Sequence, residues 1–184
     1  MAPRNHMQWK KTPKVEYISS ECYNNNDIFK MEQEEIFSKV WVPMCHISEM
    51  RNKGDYRTTQ IAGKRVIAIN IDGENVQAYY NTNDIDYRKP SGTITYDGWA
   101  TTEKPLHCEV KHGGMVWVTL DPNPDMDVEQ WTAGAFDCIA DAIDTEEMEV
   151  FHYHKAVIDT NYKLWHDTNS EFYHDFMHYF NRVS

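Results

Sequence analysis

Apolar residues recur along the first third of the chain with helical spacing. Ile28, Phe29, Ile36, Phe37, Val40 and Trp41 fall on one stripe. The polar run Asn24-Asn25-Asn26-Asp27 ahead of them can cap a helix. The pattern predicts a core-packed helix over 28–41, preceded by an irregular arm up to about Tyr23. The period then shortens to two, which predicts short strands over 41–47, 54–61, 65–71 and 76–80. Gly63 breaks the second from the third, and Asp72-Gly73 is a two-residue hairpin signal. Residues 111–120 read as a strand pair bent at Gly113-Gly114, closed by Asp121-Pro122-Asn123-Pro124. Residues 40–125 thus form a small antiparallel sheet domain. A helix follows over 127–143, with Val128, Trp131, Ala135 and Ile139 on one face. Residues 149–158 alternate like a strand, and 163–180, free of Gly and Pro, read as a helix. The fold class is α+β.

Composition narrows the partners. The 184 residues carry 18 Lys and Arg against 29 Asp and Glu, a net charge of −11, with a pI near 5.2. That balance argues against a nucleic-acid binder. Hydrophobic residues at 41% and aromatics at 13% suffice for a core of one domain, or two small ones. No apolar run reaches the ~20 residues of a membrane span. The opening MAPRNHMQWKKTPK has no apolar stretch of the secretory kind. The expectation is a cytoplasmic protein that engages neither membrane nor nucleic acid. Cys22, Cys45, Cys108 and Cys138 are scattered and form no CxxC pair, so no disulfide framework is expected.

The candidate chemistry lies near the C-terminus. His174 and His178 are four apart, so on a helix both imidazoles leave the same face one turn apart. Glu171, three residues before His174, shares that face. Two histidines and a carboxylate suit mononuclear Fe(II) with open positions for O₂. Zinc also accepts such a pair, in which case a hydrolytic site would result. A histidine pair at this spacing also arises by chance as ordinary hydrogen-bonded side chains. The bland account suffices for His152 and His154, which share one face of a strand pattern, and for His166, eight residues before His174.

The surroundings of the pair carry more. Asn161-Tyr162-Lys163, then Asp167, then Glu171-Phe172-Tyr173-His174 and His178 resemble the iron-binding helix of Rieske-type non-haem iron oxygenases, the ring-hydroxylating alpha subunits. That family usually places four residues between its two histidines, and this chain places three. Upstream, Trp41, His46, Glu49 and Gly54-Asp55-Tyr56 look like the opening of the family's Rieske domain. Residues 61–81 look like its next hairpin, and Gly113-Gly114-Met115-Val116-Trp117-Val118-Thr119-Leu120-Asp121-Pro122 like its closing strand. The resemblance implies an arm and helix over 1–37 and an antiparallel β Rieske-like domain over 38–148. Over 149–184 it implies the start of a helix-grip catalytic domain. It implies mononuclear Fe(II) held by His174 and His178, Glu171 bridging toward an electron donor, and Asp167 supporting the ligands from behind. It further implies a small organic substrate, a reductase or ferredoxin as electron donor, and a trimer-based homo- or hetero-oligomer.

The departures matter equally. A Rieske [2Fe–2S] cluster takes two Cys on one iron and two His on the other. The family supplies them as Cys-x-His and Cys-x-x-His. Here Thr82-Asn83-Asp84-Ile85 and Ile94-Thr95-Tyr96-Asp97 stand at those places, and none can ligate as thiolate or imidazole. The cluster is expected to be absent from this chain. The family's third iron ligand comes from a later part of the catalytic domain, so the sequence reads as a piece of such a subunit or as one completed by another chain. The expected function is O₂-dependent hydroxylation or a related oxidation of an organic substrate, by an oxidoreductase of the mono- or dioxygenase kind. The alternative is a non-catalytic structural or regulatory subunit of such a complex.

Overall fold

The computed structural model describes residues 19–82, 85, 91–93, 104–143 and 147–170. They divide between two compact units, one drawn from Met1–Phe29 and Ile158–Ser184, the other spanning Lys30–Val157.

Among the described residues the larger unit has seven strands: β1 Val42–His46, β2 Asp55–Ile61, β3 Lys64–Asn70, β4 Val76–Tyr80, β5 Ser91–Thr93, β6 His107–Lys111 and β7 Met115–Thr119. They form two antiparallel sheets, ordered β1-β7-β6 and β4-β3-β2-β5. The period-two pattern located β1 to β4 within a residue or two. β5 and the full length of β6 escaped it, because an edge strand such as His107–Lys111 leaves Val110 in solvent and shows no clean alternation. β1 carries Pro43, which has no N–H for a ladder. It is tolerated because β1 is an edge strand and the register shifts between Pro43 and Cys45, leaving Met44 as the extra residue.

Central strand β3 is buried on both faces from Val66 to Asn70. Val66 and Ala68 join Cys45, Met50, Ala78, Val116 and Val118 in the main core. Ile67 and Ile69 pack with Tyr79, Tyr56 and Ile85 on the opposite face. This explains the unbroken apolar run Val66-Ile67-Ala68-Ile69, since a strand covered on both sides has no polar face. Buried Asn70 is satisfied: its side-chain amide donates to the Met50 carbonyl at 2.8 Å and its oxygen accepts from Gly73 N–H at 2.6 Å.

The turns differ from expectation. The tight two-residue hairpin is Ala62-Gly63, with φ of 48° and 71° between the paired Ile61 and Lys64. The Asp72-Gly73 signal instead sits in a five-residue loop between the paired Asn70 and Val76. There the Asp72 carboxylate accepts from the N–H groups of Glu74 and Asn75 at 2.9 and 2.7 Å, which makes an Asx turn in place of a hairpin reversal.

The helices are shorter than the patterns suggest. Helical turn α1 occupies Glu21–Asn24, inside the stretch expected to be irregular. α2 spans Asn26–Glu32, and a π turn over Gln33–Phe37 follows it. Phe29 and Ile36 are 44% and 49% exposed rather than core-packed. Val42, held extended before Pro43, belongs to β1. The helix expected over 127–143 is broken. α3 covers Val128–Thr132 under a capping box of Asp127 and Gln130, and Ala133 and Gly134 then take positive φ. α4, Ala140–Ile143, comes after a short 3₁₀ turn. Of the predicted apolar face, Val128 is buried against Trp41 and Trp117, whereas Trp131 and Ala135 are exposed.

Residues 149–158 make no strand. Their alternation needs a sheet to pair with, and among the described residues no ladder includes them. Phe151 and Val157 are almost fully exposed. The segment is tethered at three points: Glu149 pairs with Arg51, Val150 N–H donates to Ser48 Oγ at 3.0 Å, and the Arg57 guanidinium lies 5.3 Å from the Tyr153 ring centre. In the smaller unit, α5 spans Tyr162–Ser170; the rest of the helix expected over 163–180 lies outside the described residues.

Candidate metal centre

α5 starts where Asn161 caps it, its side-chain oxygen accepting from Lys163 N–H at 2.9 Å. The Asn161 side-chain amide donates to the Tyr23 carbonyl at 2.8 Å. Two turns on, the Tyr23 hydroxyl donates to Asp167 Oδ2 at 2.7 Å. Tyr23 thus grips the helix at both its cap and its second turn. The hydrogen bond to Asp167, with some burial and the same carboxylate's charge, pushes the Tyr23 hydroxyl up to about 12. One oxygen of Asp167 is therefore engaged by a phenol. No sequence signal linked these residues, because the contact spans 144 positions.

The predicted ligands His174 and His178, and the predicted bridge Glu171, lie outside the described residues. His166 is on α5 and exposed; His152 and His154 are exposed on the unpaired segment. Among the described residues, no group of three or more His, Cys, Asp or Glu side chains gathers in a way that could hold a metal ion.

Several histidines and thiols of the larger unit serve the fold. His46 ends β1 and caps the turn Ile47–Glu49, with its N–H donating to Glu49 Oε1 at 2.9 Å. Its ring nitrogens lie 2.8 Å from Ser48 Oγ and 2.6 Å from the Gly113 carbonyl. Gly114 makes this approach feasible: a Cβ there would stand 2.8 Å from His46 Nε2, and its φ is +99°. Glu49 in turn pairs with Arg57, both nearly buried. His107 Nε2 lies 3.1 Å from the Pro122 carbonyl. The His112 ring stacks on Phe136 with centres 4.0 Å apart and meets Trp117 edge-on. Cys45 and Cys108 sit in or against the main core, and burial pushes both thiols up to about 12. An open groove of about 460 Å³ beside His46 is lined by Ser48, Asn70, Glu74, Gly114 and Glu147. It offers no vacant imidazole nitrogen, since both belong to the contacts just described.

With this geometry in hand, known proteins supply the relatives. No family model matches the chain. The methanesulfonate monooxygenase hydroxylase alpha subunit of Methylosulfonomonas methylovora is 41% identical over 231 residues, covering 100% of this chain and 55% of that protein. The 2-aminobenzenesulfonate 2,3-dioxygenase alpha subunit of an Alcaligenes species is 28% identical over 90% of this chain and 50% of its own length. The homologues of this chain are Rieske-type oxygenase alpha subunits. The fold agrees with these relatives. A quaternary ammonium Rieske monooxygenase superposes with a TM-score of 0.70 at 20% identity, over 84% of this chain and 52% of that one. Naphthalene 1,2-dioxygenase from a Rhodococcus species gives 0.71 at 19%, over 85% and 44%. The α+β class and the Rieske-like β module follow from this likeness. The chain spans about half the length of the curated relatives it matches. No helix among the described residues is long and apolar enough to cross a membrane.

Proposed function

We propose that this chain is the part of an oxygenase alpha subunit that carries the β module and the iron-binding helix. The observation that carries this reading is the match to a monooxygenase alpha subunit along the whole of the chain. Positions 167, 171, 174 and 178 recur at four, three and four residues, so a helix continued at the pitch of α5 places all four on one stripe. In this reading His174 and His178 hold mononuclear Fe(II), the donor set fitting two imidazoles with carboxylate support. Iron bound there supplies the oxidation of an organic substrate by O₂. Glu171 links the ligands to an electron donor. Asp167, fixed by the Tyr23 hydroxyl, orients the helix behind them. The division at residues 1–37, 38–148 and 149–184, a cytoplasmic location, a trimer-based assembly and a reductase or ferredoxin partner belong to the same reading.

Two of the relatives are named for organic sulfonates. A small organic sulfonate is therefore the substrate class to test first. O₂ uptake by the purified protein with a relative's reductase should rise on adding methanesulfonate or an aminobenzenesulfonate. No rise with either would overturn the substrate assignment. Substrate-dependent uptake that survives in the His174→Ala, His178→Ala double variant would overturn the site.

A second reading, a non-catalytic subunit that assembles with an active relative, is favoured by one observation. The connection over residues 81–106 contains neither Cys nor His, so the means of receiving electrons within the chain is missing. Metal-free protein that co-purifies with a cluster-bearing oxygenase would support it.

A further inference from the structure

We infer that the β module of this chain is an iron-free scaffold, produced by internal loss of the segment that would hold a [2Fe–2S] cluster. Such a cluster takes two thiolates and two imidazoles. Residues 81–106, which join β4 to β6, hold none of these. The candidates elsewhere in the larger unit are committed to other contacts or stand apart. Cys45 is buried in the main core and Cys108 packs against it from β6. Burial pushes both thiols up to about 12, in keeping with their packing as small apolar groups. Cys138 is exposed on the turn Asp137–Ile139. His46 bridges Ser48 and Gly113, His107 meets Pro122, and His112 is stacked on Phe136, while His152 and His154 are exposed on the unpaired segment after the module.

The described parts of this connection are held by contacts of the chain itself. Leu106 N–H donates to the Ala78 carbonyl at 2.8 Å and bridges β4 to the start of β6. β5 adds to the edge of β2 through Asp55, Tyr56 and Arg57. Both of these backbone contacts are with the four-stranded sheet, against which Ile85 of the same connection also packs. The match to the methanesulfonate enzyme points to shortening within the chain. It runs over 231 residues where this chain has only 184, so several tens of the relative's residues have no counterpart here. Few places can have lost them. The turns of the β2–β3, β3–β4 and β6–β7 hairpins each join strands whose ladders pair without interruption up to the turn. The 81–106 connection is the long link inside the module, and it is where the ligand residues fail.

The missing ligands are a property of the module itself, and their loss from within the chain rests on the match to the methanesulfonate enzyme. Only the consequence rests on the oxygenase reading: electrons would have to reach the helix iron from a cluster outside this chain. The test is iron and acid-labile sulfide analysis, with visible and EPR spectra, on protein purified anaerobically without chelators. The expected result is no sulfide and no Rieske absorption band or EPR signal. Sulfide in amounts equal to iron, with the Rieske spectrum and its loss in Cys45→Ser or Cys108→Ser, would overturn it. Iron without sulfide supports the inference and leaves the helix site standing. Neither iron nor sulfide supports the inference and counts against the helix site instead.

Discussion

The β module and the stretch over 147–170 treat the same side-chain types in opposite ways. In the module, His46, His107 and His112 are held by hydrogen bonds or ring stacking, and Cys45 and Cys108 are packed as small apolar groups. Over 147–170, His152, His154 and His166 face solvent, and no described residue there is buried. Residues that could ligate metal have been spent on structure in one region and left accessible in the other. Stability and accessible ligand chemistry are therefore separated along the chain: the sheets hold the fold, and the described histidines beyond them stay open to solvent.

The sharpest break of this contrast is a cavity in the doubly covered strand. Ile67 is fully buried, so Ile67→Ala should lower the unfolding free energy by about 2–5 kcal/mol in a denaturant titration. Next comes the Glu49–Arg57 pair. Arg57→Met strands a nearly buried carboxylate, at a cost of about 3 kcal/mol, and Glu49→Gln with Arg57→Met should recover part of it. Gly114→Ala should cost more than Gly63→Ala. Both carry the ~1–2 kcal/mol of a side chain at positive φ, but only Gly114 also drives His46 off the Gly113 carbonyl.

A smaller effect should appear at alkaline pH. Burial in the folded state pushes the Cys45 and Cys108 thiols from their ordinary 9.0 up to about 12. The unfolded state therefore releases its protons first, and stability falls as pH rises through this window. A Cys45→Ala, Cys108→Ala variant should start less stable and show a flatter alkaline limb. The smallest effect belongs to the exposed segment. Phe151→Ala, at a residue 98% exposed, should stay within about 0.5 kcal/mol of the parent. A loss comparable to that of Ile67→Ala would show the segment to be packed and would erase the contrast.

The sheet was legible in the sequence because short apolar runs bounded by turn residues mark its strands. The run Val66-Ile67-Ala68-Ile69 marks the strand with two covered faces, while β4 buries the adjacent Ala78 and Tyr79 and β2 buries Thr58 and Ile61. What escaped depends on partners that local pattern does not encode. The 28–41 stripe did not reveal the π turn at Gln33–Phe37, and the 127–143 stripe did not reveal positive φ at Ala133. The 149–158 alternation promised a strand, yet alternation without a neighbouring edge forms no ladder. Of the candidate site, the spacing of Glu171, His174 and His178 was visible at once. The Tyr23 grip on Asp167 was not, since it joins residues at opposite ends of the chain.

The account turns on where iron binds. The most direct measurement compares metal content in the parent protein and the His174→Ala, His178→Ala variant, both loaded anaerobically with ferrous iron and desalted. The account predicts that the parent retains iron and the variant loses it with no change in melting temperature, because the sheets do not depend on the metal. Equal iron in both proteins would contradict it.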